Sequence, residues 1–498
     1  MNAVSIRNNE SIQVKSIPVI GYNEFLEYNT GLVKSGLACH CVSYFGVASG
    51  NTIKLYCAIA DDEKHMIYVS SSVLNTGSMV QSFTAHSLIF EKFEREIHEN
   101  HGIQYTDHPW LKPVRYPFNR SDATQVMDNY PFYGIHGEEL HEVGVGPVHA
   151  GVIEPGHFRF VCNGEQILHL EIQLGYQHRG IEDLFLKKDR LLQRAILAEN
   201  ISGDSVIEHA TAFASLIESL SGFEPGNDVL YARTLAQEIE RVAIHTGDLS
   251  AICTDIAYQL GSSVFGRLRT PVINFFQEWC GNRLAKSLIR PYRHHYGFTP
   301  ALGKRLLEVF DAFEPDFNEM NVELFNLPSA LSRLERTGTV THEQVASIGT
   351  VGMAARMNGL NRDIRQSHTY GLYASLSHEP IIKNHGDVYS RTQIRKQEVI
   401  QSIGYIRNLI SHIPEPSVVS EIAALRPNMF ALSLTEGWRG EVCHVAITGD
   451  QGELVAYKIK DPSFHNWLAL ALSVRNNEIS DFPVCNKSFN LSYCGHDL

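Results

Sequence analysis

Gly156-His-Phe-Arg-Phe-Val-Cys-Asn-Gly-Glu-Gln-Ile-Leu-His-Leu-Glu-Ile-Gln-Leu174 leads into Tyr176-Gln-His-Arg-Gly-Ile-Glu182, and Ser202-Gly-Asp-Ser-Val-Ile-Glu-His209 follows. The first string is a β-hairpin signal. Asn163-Gly164 is the turn dipeptide that tolerates positive φ at both central positions. Beyond Glu182 the pattern changes to alanine, leucine and isoleucine at three- and four-residue spacing through 184–222, 230–260 and 264–288, which is helical. A second hairpin is expected from Val442 to Ile459 around Gly449-Asp-Gln-Gly452. The fold class predicted is α+β, with a small α/β amino-terminal domain before a mainly helical large domain carrying peripheral β-hairpins.

Upstream of this region, Lys54 to Ala60 and His65 to Val69 read as paired strands around the charged turn Asp61-Asp-Glu63. A helix with acidic and basic faces follows and ends near Glu99, with Gly102 as its stop and Pro109 in a loop. The polar stretch Asn119 to Gly137 has no clear period and reads as a linker. It divides the chain into units 1–125 and 140–498.

A chain of 498 residues with a net charge of −13 and no run of lysine or arginine is a poor match for nucleic acid. The amino terminus lacks the apolar segment of a signal peptide, and no apolar stretch approaches the roughly 20 residues of a spanning helix. Work at a membrane would therefore need other subunits to hold the chain there. The 9 cysteines form no Cys-x-x-Cys, which points to reduced thiols in the cytosol. Cys39-His40-Cys41 lies in a predicted strand, where the two thiols share a face as buried core residues or as part of a metal site.

Longer motifs give a resemblance. Glu94-Arg-Glu-Ile97, Gly102-Ile103, His108-Pro-Trp-Leu111 and Arg115 resemble the 30-kDa subunit of complex I. From Gly146-Pro-Val-His149 onward the chain resembles the large subunit of membrane-bound nickel–iron hydrogenases of the formate hydrogenlyase type (group 4) and the complex I 49-kDa subunit. The likeness continues through His178-Arg-Gly-Ile-Glu182, Glu240-Arg241 to His245 and Asp248, Gly352 to Arg356, Arg362-Asp-Ile-Arg365, Gly386 to Arg391, Trp438-Arg-Gly-Glu441 and Asp461 to Asn466.

The resemblance implies an oxidoreductase subunit of the NADH:quinone oxidoreductase or hydrogenase type. It implies proton-handling roles for Glu182 and His149, and cofactor-facing roles for Arg179, Arg241 and His245 near the interface with an iron–sulfur partner. Read alone, Glu182 would pair with Arg179 or cap the next helix, and His149 on a hairpin tip would be a structural hydrogen-bonder. Arg241 and His245, four apart on a helix, would form a solvated face.

In the hydrogenases four thiolates hold nickel and iron, soft ligands suited to low-valent metal. The matching positions here are Ser202, Ser205, Ser492 and Gly495, with Cys494 one residue out of place. The expectation is therefore no metal and no cofactor bound by this chain. The complex I branch places a tyrosine beside the first of these positions for its quinone, and here that residue is Ile201. The resemblance implies two kinds of partner: a small iron–sulfur subunit, which holds a 4Fe–4S cluster, and antiporter-like membrane subunits. The chain would lie peripherally on the cytoplasmic side of the cytoplasmic membrane. Electrons would pass to a quinone or another small acceptor; alternatively the chain is a non-catalytic scaffold linking soluble and ion-translocating modules.

Overall fold

Strands β1 (Val4–Ile6), β3 (Cys39–Ser49), β4 (Thr52–Asp61) and β5 (Met66–Asn75) form an antiparallel sheet in the order β1-β5-β4-β3. This computed structural model describes residues 2–135, 137–149, 153–293, 295–417 and 423–498. Side chains alternate faces along a strand, and here both faces are buried. Ile53, Leu55, Cys57 and Ile59 of β4 pack with Phe25 of α1 (Tyr22–Lys34) and with Phe93 and Ile97 of α2 (Glu91–His101). Tyr56, Ala58 and Ala60 face the core of the large domain. Cys39 and Cys41 join the helix-covered face, as their spacing predicts. Gly102 ends α2 in the left-handed conformation at φ 71°.

Short strands β2 (Ser11–Gln13), β6 (Met79–Gln81) and β7 (Gln104–Thr106) complete this part of the chain. β2 leaves the amino-terminal sheet altogether and pairs with Met429–Ala431. Next come β8 (Leu140–Val145), β9 (His157–Asn163) and β10 (Gln166–Gln173) in one antiparallel sheet. The β9–β10 turn is at Asn163-Gly164, with Gly164 at φ 57°.

The helical run is α3 (Ile181–Lys187), α4 (Leu191–Ala198), α5 (Val206–Ser221), α6 (Asn227–Asp255), α7 (Gln259–Cys280) and α8 (Pro300–Asn326). Shorter helices α9 (Pro328–Leu334), α10 (His342–Ile348), α11 (Met353–Arg356) and α12 (Ile364–Ser367) lead to α13 (Val388–Ile410), which packs on α6 as α7 does. The expected second hairpin is β12 (Glu441–Thr448) and β13 (Leu454–Lys460), joined by β11 (Met429–Glu436) and β2 in one sheet. β11 and β12 are buried along their whole length, with α5 packed against them. Helices α14 (Pro462–Ser473), α15 (Phe482–Phe489) and α16 (Tyr493–Asp497) close the chain. Among the described residues no helix is long and apolar enough to cross a membrane.

One backbone crossing fixes the loop before α11 against the β11–β12 turn. A Cβ on Gly352, at φ +61°, would stand 2.1 Å from Cα of Gly440. Backbone cannot move aside as a side-chain tip can, and the φ itself disfavours any other residue. Gly352→Ala is expected to lower stability by about 2–3 kcal/mol, measured as a shift in the urea midpoint at unchanged slope.

Candidate functional site

Ser202 and Ser205 lie in the loop between α4 and α5, and Ser492 lies just before α16, where its Oγ accepts the Gly495 N–H at 2.9 Å. The structure brings these distant segments together. Ser202 Oγ and Ser492 Oγ, 290 positions apart in sequence, are 3.0 Å from each other and buried. Ser492 Oγ also lies 3.4 Å from Cys494 Sγ. Burial pushes the Cys494 thiol up to about 11, with Glu154 adding to the shift, so at neutral pH it is a thiol and not a thiolate.

Charged side chains surround these hydroxyls. Arg439 donates to both oxygens of Asp204 at 2.7 and 2.6 Å and to Ser205 Oγ at 2.9 Å, while its guanidinium stacks on Trp438. Ser202 Oγ donates to Asp204 at 2.9 Å. On the other side, Asp461 Oδ2 would be 2.6 Å from a Cβ at Gly495, so a carboxylate occupies the space a side chain there would need.

From Asp461 a row of buried groups runs away from the hydroxyls. His209 Nε2 is 3.1 Å from Asp461 Oδ2, His209 Nδ1 is 3.0 Å from His444 Nε2, and His444 Nδ1 is 2.8 Å from the Tyr457 hydroxyl. Burial opposes ionisation of Asp461, but His209 and Arg439 outweigh it and hold its pKa below the ordinary value. Burial, with His209 beside it, holds His444 well below the usual imidazole range. Glu208 and Glu240 lie close by. Burial raises Glu208 to about 6, and burial together with Glu208 raises Glu240 well above its ordinary value.

Glu182 opens into a cleft of about 440 Å3 lined by Phe45, His101, Arg115, His178, Tyr457 and Lys458. Its carboxylate accepts the Ile459 N–H at 2.8 Å and sits 3.1 Å from Lys458 Nζ. Lys458 also pairs with Glu96, which holds Arg115. Burial raises the Glu182 pKa, Lys458 opposes it, and Glu96 adds to it. The partner is thus Lys458 rather than Arg179, whose guanidinium donates to the carbonyls of Asn200, Ile201 and Cys494 at 2.6–2.9 Å. Arg179 therefore pins the Ser202 loop to the carboxy-terminal segment around Ser492. Tyr457 both lines the Glu182 cleft and ends the histidine row.

His149 lies apart from both. Its Nε2 bonds the Gly156 carbonyl at 2.9 Å, and the adjoining residues 150–152 are outside the described residues. His157 bonds the Gly146 carbonyl at 3.1 Å, as a structural residue. Arg241 and His245 do not form a solvated face. They are 1% and 0% exposed, with Arg241 donating to the carbonyls of Glu436 and Gly437 and His245 Nε2 2.6 Å from Glu398. A polar pair at helical spacing looks solvated in sequence, and only the facing carboxylates on other elements bury it. Tyr457, His444 and Lys458 carried no sequence signal beyond membership of a hairpin.

Residues 261–431 match the model of the respiratory-chain NADH dehydrogenase 49-kDa subunit family. The chain is 26% identical to hydrogenase-4 component G of Escherichia coli over 78% of its own length and 67% of that relative. It is 26% identical to formate hydrogenlyase subunit 5 of the same organism, over 75% of this chain and 66% of the relative. The C/D subunit of NADH-quinone oxidoreductase from Bacteroides thetaiotaomicron is 25% identical, over 82% of this chain and 81% of the relative. Over most of its length the chain is thus similar to oxidoreductase subunits of the hydrogenase and NADH-quinone oxidoreductase kinds.

The nickel–iron group of the hydrogenases that the chain resembles does not fit this site. Its positions supply three hydroxyls, a glycine whose side-chain space Asp461 fills, and a neighbouring protonated thiol. Hydroxyl oxygens with alcohol pKa values do not replace thiolates on a soft metal. Among the described residues, no group of three or more His, Cys, Asp or Glu side chains is placed to hold a metal ion. The quinone fit is also incomplete on this side, because Ile201 is 0% exposed and has no donor to offer a carbonyl.

Proposed function

We propose that this chain is an electron-transfer subunit of a membrane-associated complex, complex I-like and hydrogenase-related, in which the nickel–iron centre has been lost. Electrons from a 4Fe–4S cluster in a small partner subunit pass to a quinone or another small acceptor. Antiporter-like subunits anchor the chain on the cytoplasmic face of the membrane. The observation that carries this reading is the buried row Asp461–His209–His444–Tyr457, which connects the degenerate ligand positions to the cleft holding Glu182. A protein that had kept the fold for attachment alone would have no use for adjoining groups able to hand on protons.

In this mechanism Glu182 exchanges protons with solvent in its cleft, where burial and Glu96 raise its pKa against the pull of Lys458 and favour proton uptake. Tyr457 and His444 hand the proton on through their hydrogen bond, and Asp461 receives it beside the serine cluster. His149 handles protons separately, at the hairpin surface. Quinone-analogue reduction by the purified complex tests the scheme. Glu182→Gln and Tyr457→Phe are each expected to slow turnover about tenfold, which is about 1.4 kcal/mol on the barrier, and His149→Ala to slow it less. Equal rates in all variants would remove the proton roles.

The second reading, a non-catalytic scaffold, has one observation in its favour. The 3.0 Å Ser202–Ser492 contact lets protein hydroxyls satisfy each other where an acceptor would otherwise bind. It predicts no quinone-analogue reduction by the wild-type complex.

A further inference from the structure

A second cleft, of about 700 Å3, lies where the Pro109–Pro113 loop of the amino-terminal domain faces β10 and α14. That volume is typical of a small-molecule site. Its walls are mainly apolar and aromatic, with Trp110, Leu111, Tyr130, Leu170 and Trp467 among them. It is distinct from the Glu182 cleft and from the serine cluster.

The charges in this lining are unevenly satisfied. Arg95 is paired with Glu91 and donates to the carbonyls of Lys112 and Pro113, both at 2.7 Å. Lys112 is paired with Glu171. Arg475, exposed, reaches His169 Nδ1 at 3.3 Å. Lys92 differs from all of these. It is half-buried on α2, its Nζ lies 5.8 Å from the centre of the Phe464 ring, and among the described residues it has no hydrogen-bonding or ion-pair partner. His496 occupies the same corner, with its ring 5.6 Å from Phe464. It is 2% exposed, and Asp497 holds its Nδ1 at 2.8 Å, so Nε2 is left without a partner among the described residues.

A half-buried ammonium with no counterion is costly. Burial pulls Lys92 down to about 7; Glu91 and Asp497 oppose the shift, while Arg95 and Arg115 reinforce it. A carboxylate placed against Nζ would supply the missing partner and restore the charged form. A phosphate dianion fits less well, because the guanidinium of Arg95 and the ammonium of Lys112 are already consumed by Glu91 and Glu171. One unpaired ammonium beside a long apolar wall matches a single negative charge on an apolar chain.

We propose that this interdomain cleft binds an amphiphilic carboxylate, with its head group on Lys92 and its chain between Trp110, Tyr130 and Trp467. The site involves no electron transfer, so it stands or falls independently of the proposed function. Because Trp110 and Trp467 line the cleft, tryptophan fluorescence reports occupancy.

The test titrates the full-length chain with sodium dodecanoate and, separately, with dodecan-1-ol, both below their aggregation limits. Saturable quenching by dodecanoate is expected. Its affinity should fall about tenfold in Lys92→Met, the loss of one charge-assisted contact, while dodecanol affinity stays the same. Ala471→Trp, which fills the cleft from α14, should abolish binding of both. Equal dodecanoate affinity in wild type and Lys92→Met would overturn the proposal, as would unchanged binding in Ala471→Trp or the absence of saturable quenching in wild type. Among the described residues Lys92 has no hydrogen-bonding or ion-pair partner to lose, so the methionine variant breaks no hydrogen bond.

Discussion

Glu398→Gln is expected to destabilise the protein by about 3–5 kcal/mol, the scale for breaking a buried ion pair from one side. Glu398, on α13, is 0% exposed and touches nearly every member of a charged cluster at the centre of the large domain. Its oxygens lie 2.8 Å from Arg356, 2.9 Å from Arg365, 2.6 Å from His245 and 3.8 Å from Arg241. Three guanidiniums face three ionised carboxylates. Glu238 is hydrogen-bonded by Tyr373 and Ser402 at 2.6 Å, and Asp363 is gripped by Arg365 at 2.9 and 2.7 Å. Burial disfavours all three anions, but the arginines prevail and hold each below its ordinary pKa.

Glu436 completes the group; burial and neighbouring Asp363 raise its pKa well above the ordinary value, against Arg356 and Arg365. Removing the Glu398 charge leaves an uncompensated guanidinium in a dry interior. Because the shift at Glu436 favours the protonated form, Glu436→Gln is expected to cost less, about 1 kcal/mol. Urea midpoints of the two variants, read at equal slope, separate this account from one in which any polar loss in the cluster is equally harmful. The pH dependence has a definite sign. Glu398 is depressed in the folded state, so its contribution is complete above the unfolded value near 4.5 and is lost as pH falls toward the folded value. The gap between wild type and Glu398→Gln should therefore close in acid.

Local chemistry explains which parts of this architecture the sequence disclosed. Asn163-Gly164 and Gly102 announce their turn and helix stop because only residues tolerant of positive φ suit those positions. The helices from α3 to α7 show their period because one face of each is apolar. The meeting of Ser202 with Ser492 followed from the family resemblance, not from any pattern in the residues. What stayed hidden depends on contacts distant in sequence. His209 and His444 are 235 positions apart, and neither has a neighbour that marks it as half of a pair. Arg241 and His245 look like a solvated face because the carboxylate that buries them arrives from α13. β2 is too short to predict, and its partner strand lies more than 400 residues away.

Placing cysteines at the four positions that resemble hydrogenase ligand sites, as Ser202→Cys, Ser205→Cys, Ser492→Cys and Gly495→Cys, is expected to yield a protein without nickel, destabilised by about 3–5 kcal/mol. The most damaging position is 495. Its new Cβ would stand 2.6 Å from Asp461 Oδ2, so Asp461 must swing away. That carboxylate caps α14 through the Ser463 N–H at 2.8 Å and holds His209 at 3.1 Å, so both contacts would break together. Overpacking alone adds about 1–3 kcal/mol at such a position. Positions 202 and 205 fail for a different reason. Thiolates at 202 and 205 would lie beside the Asp204 carboxylate, where Arg439 is the cation within reach and is already committed to Asp204. Without a metal to accept their charge, they would stay protonated as thiols. Elemental analysis of the variant, purified from a host that assembles nickel–iron hydrogenases, reads the outcome together with its urea midpoint. Nickel near one atom per chain at wild-type stability would mean that Asp461 yields at little cost and that these four positions alone decide whether the site can take a metal.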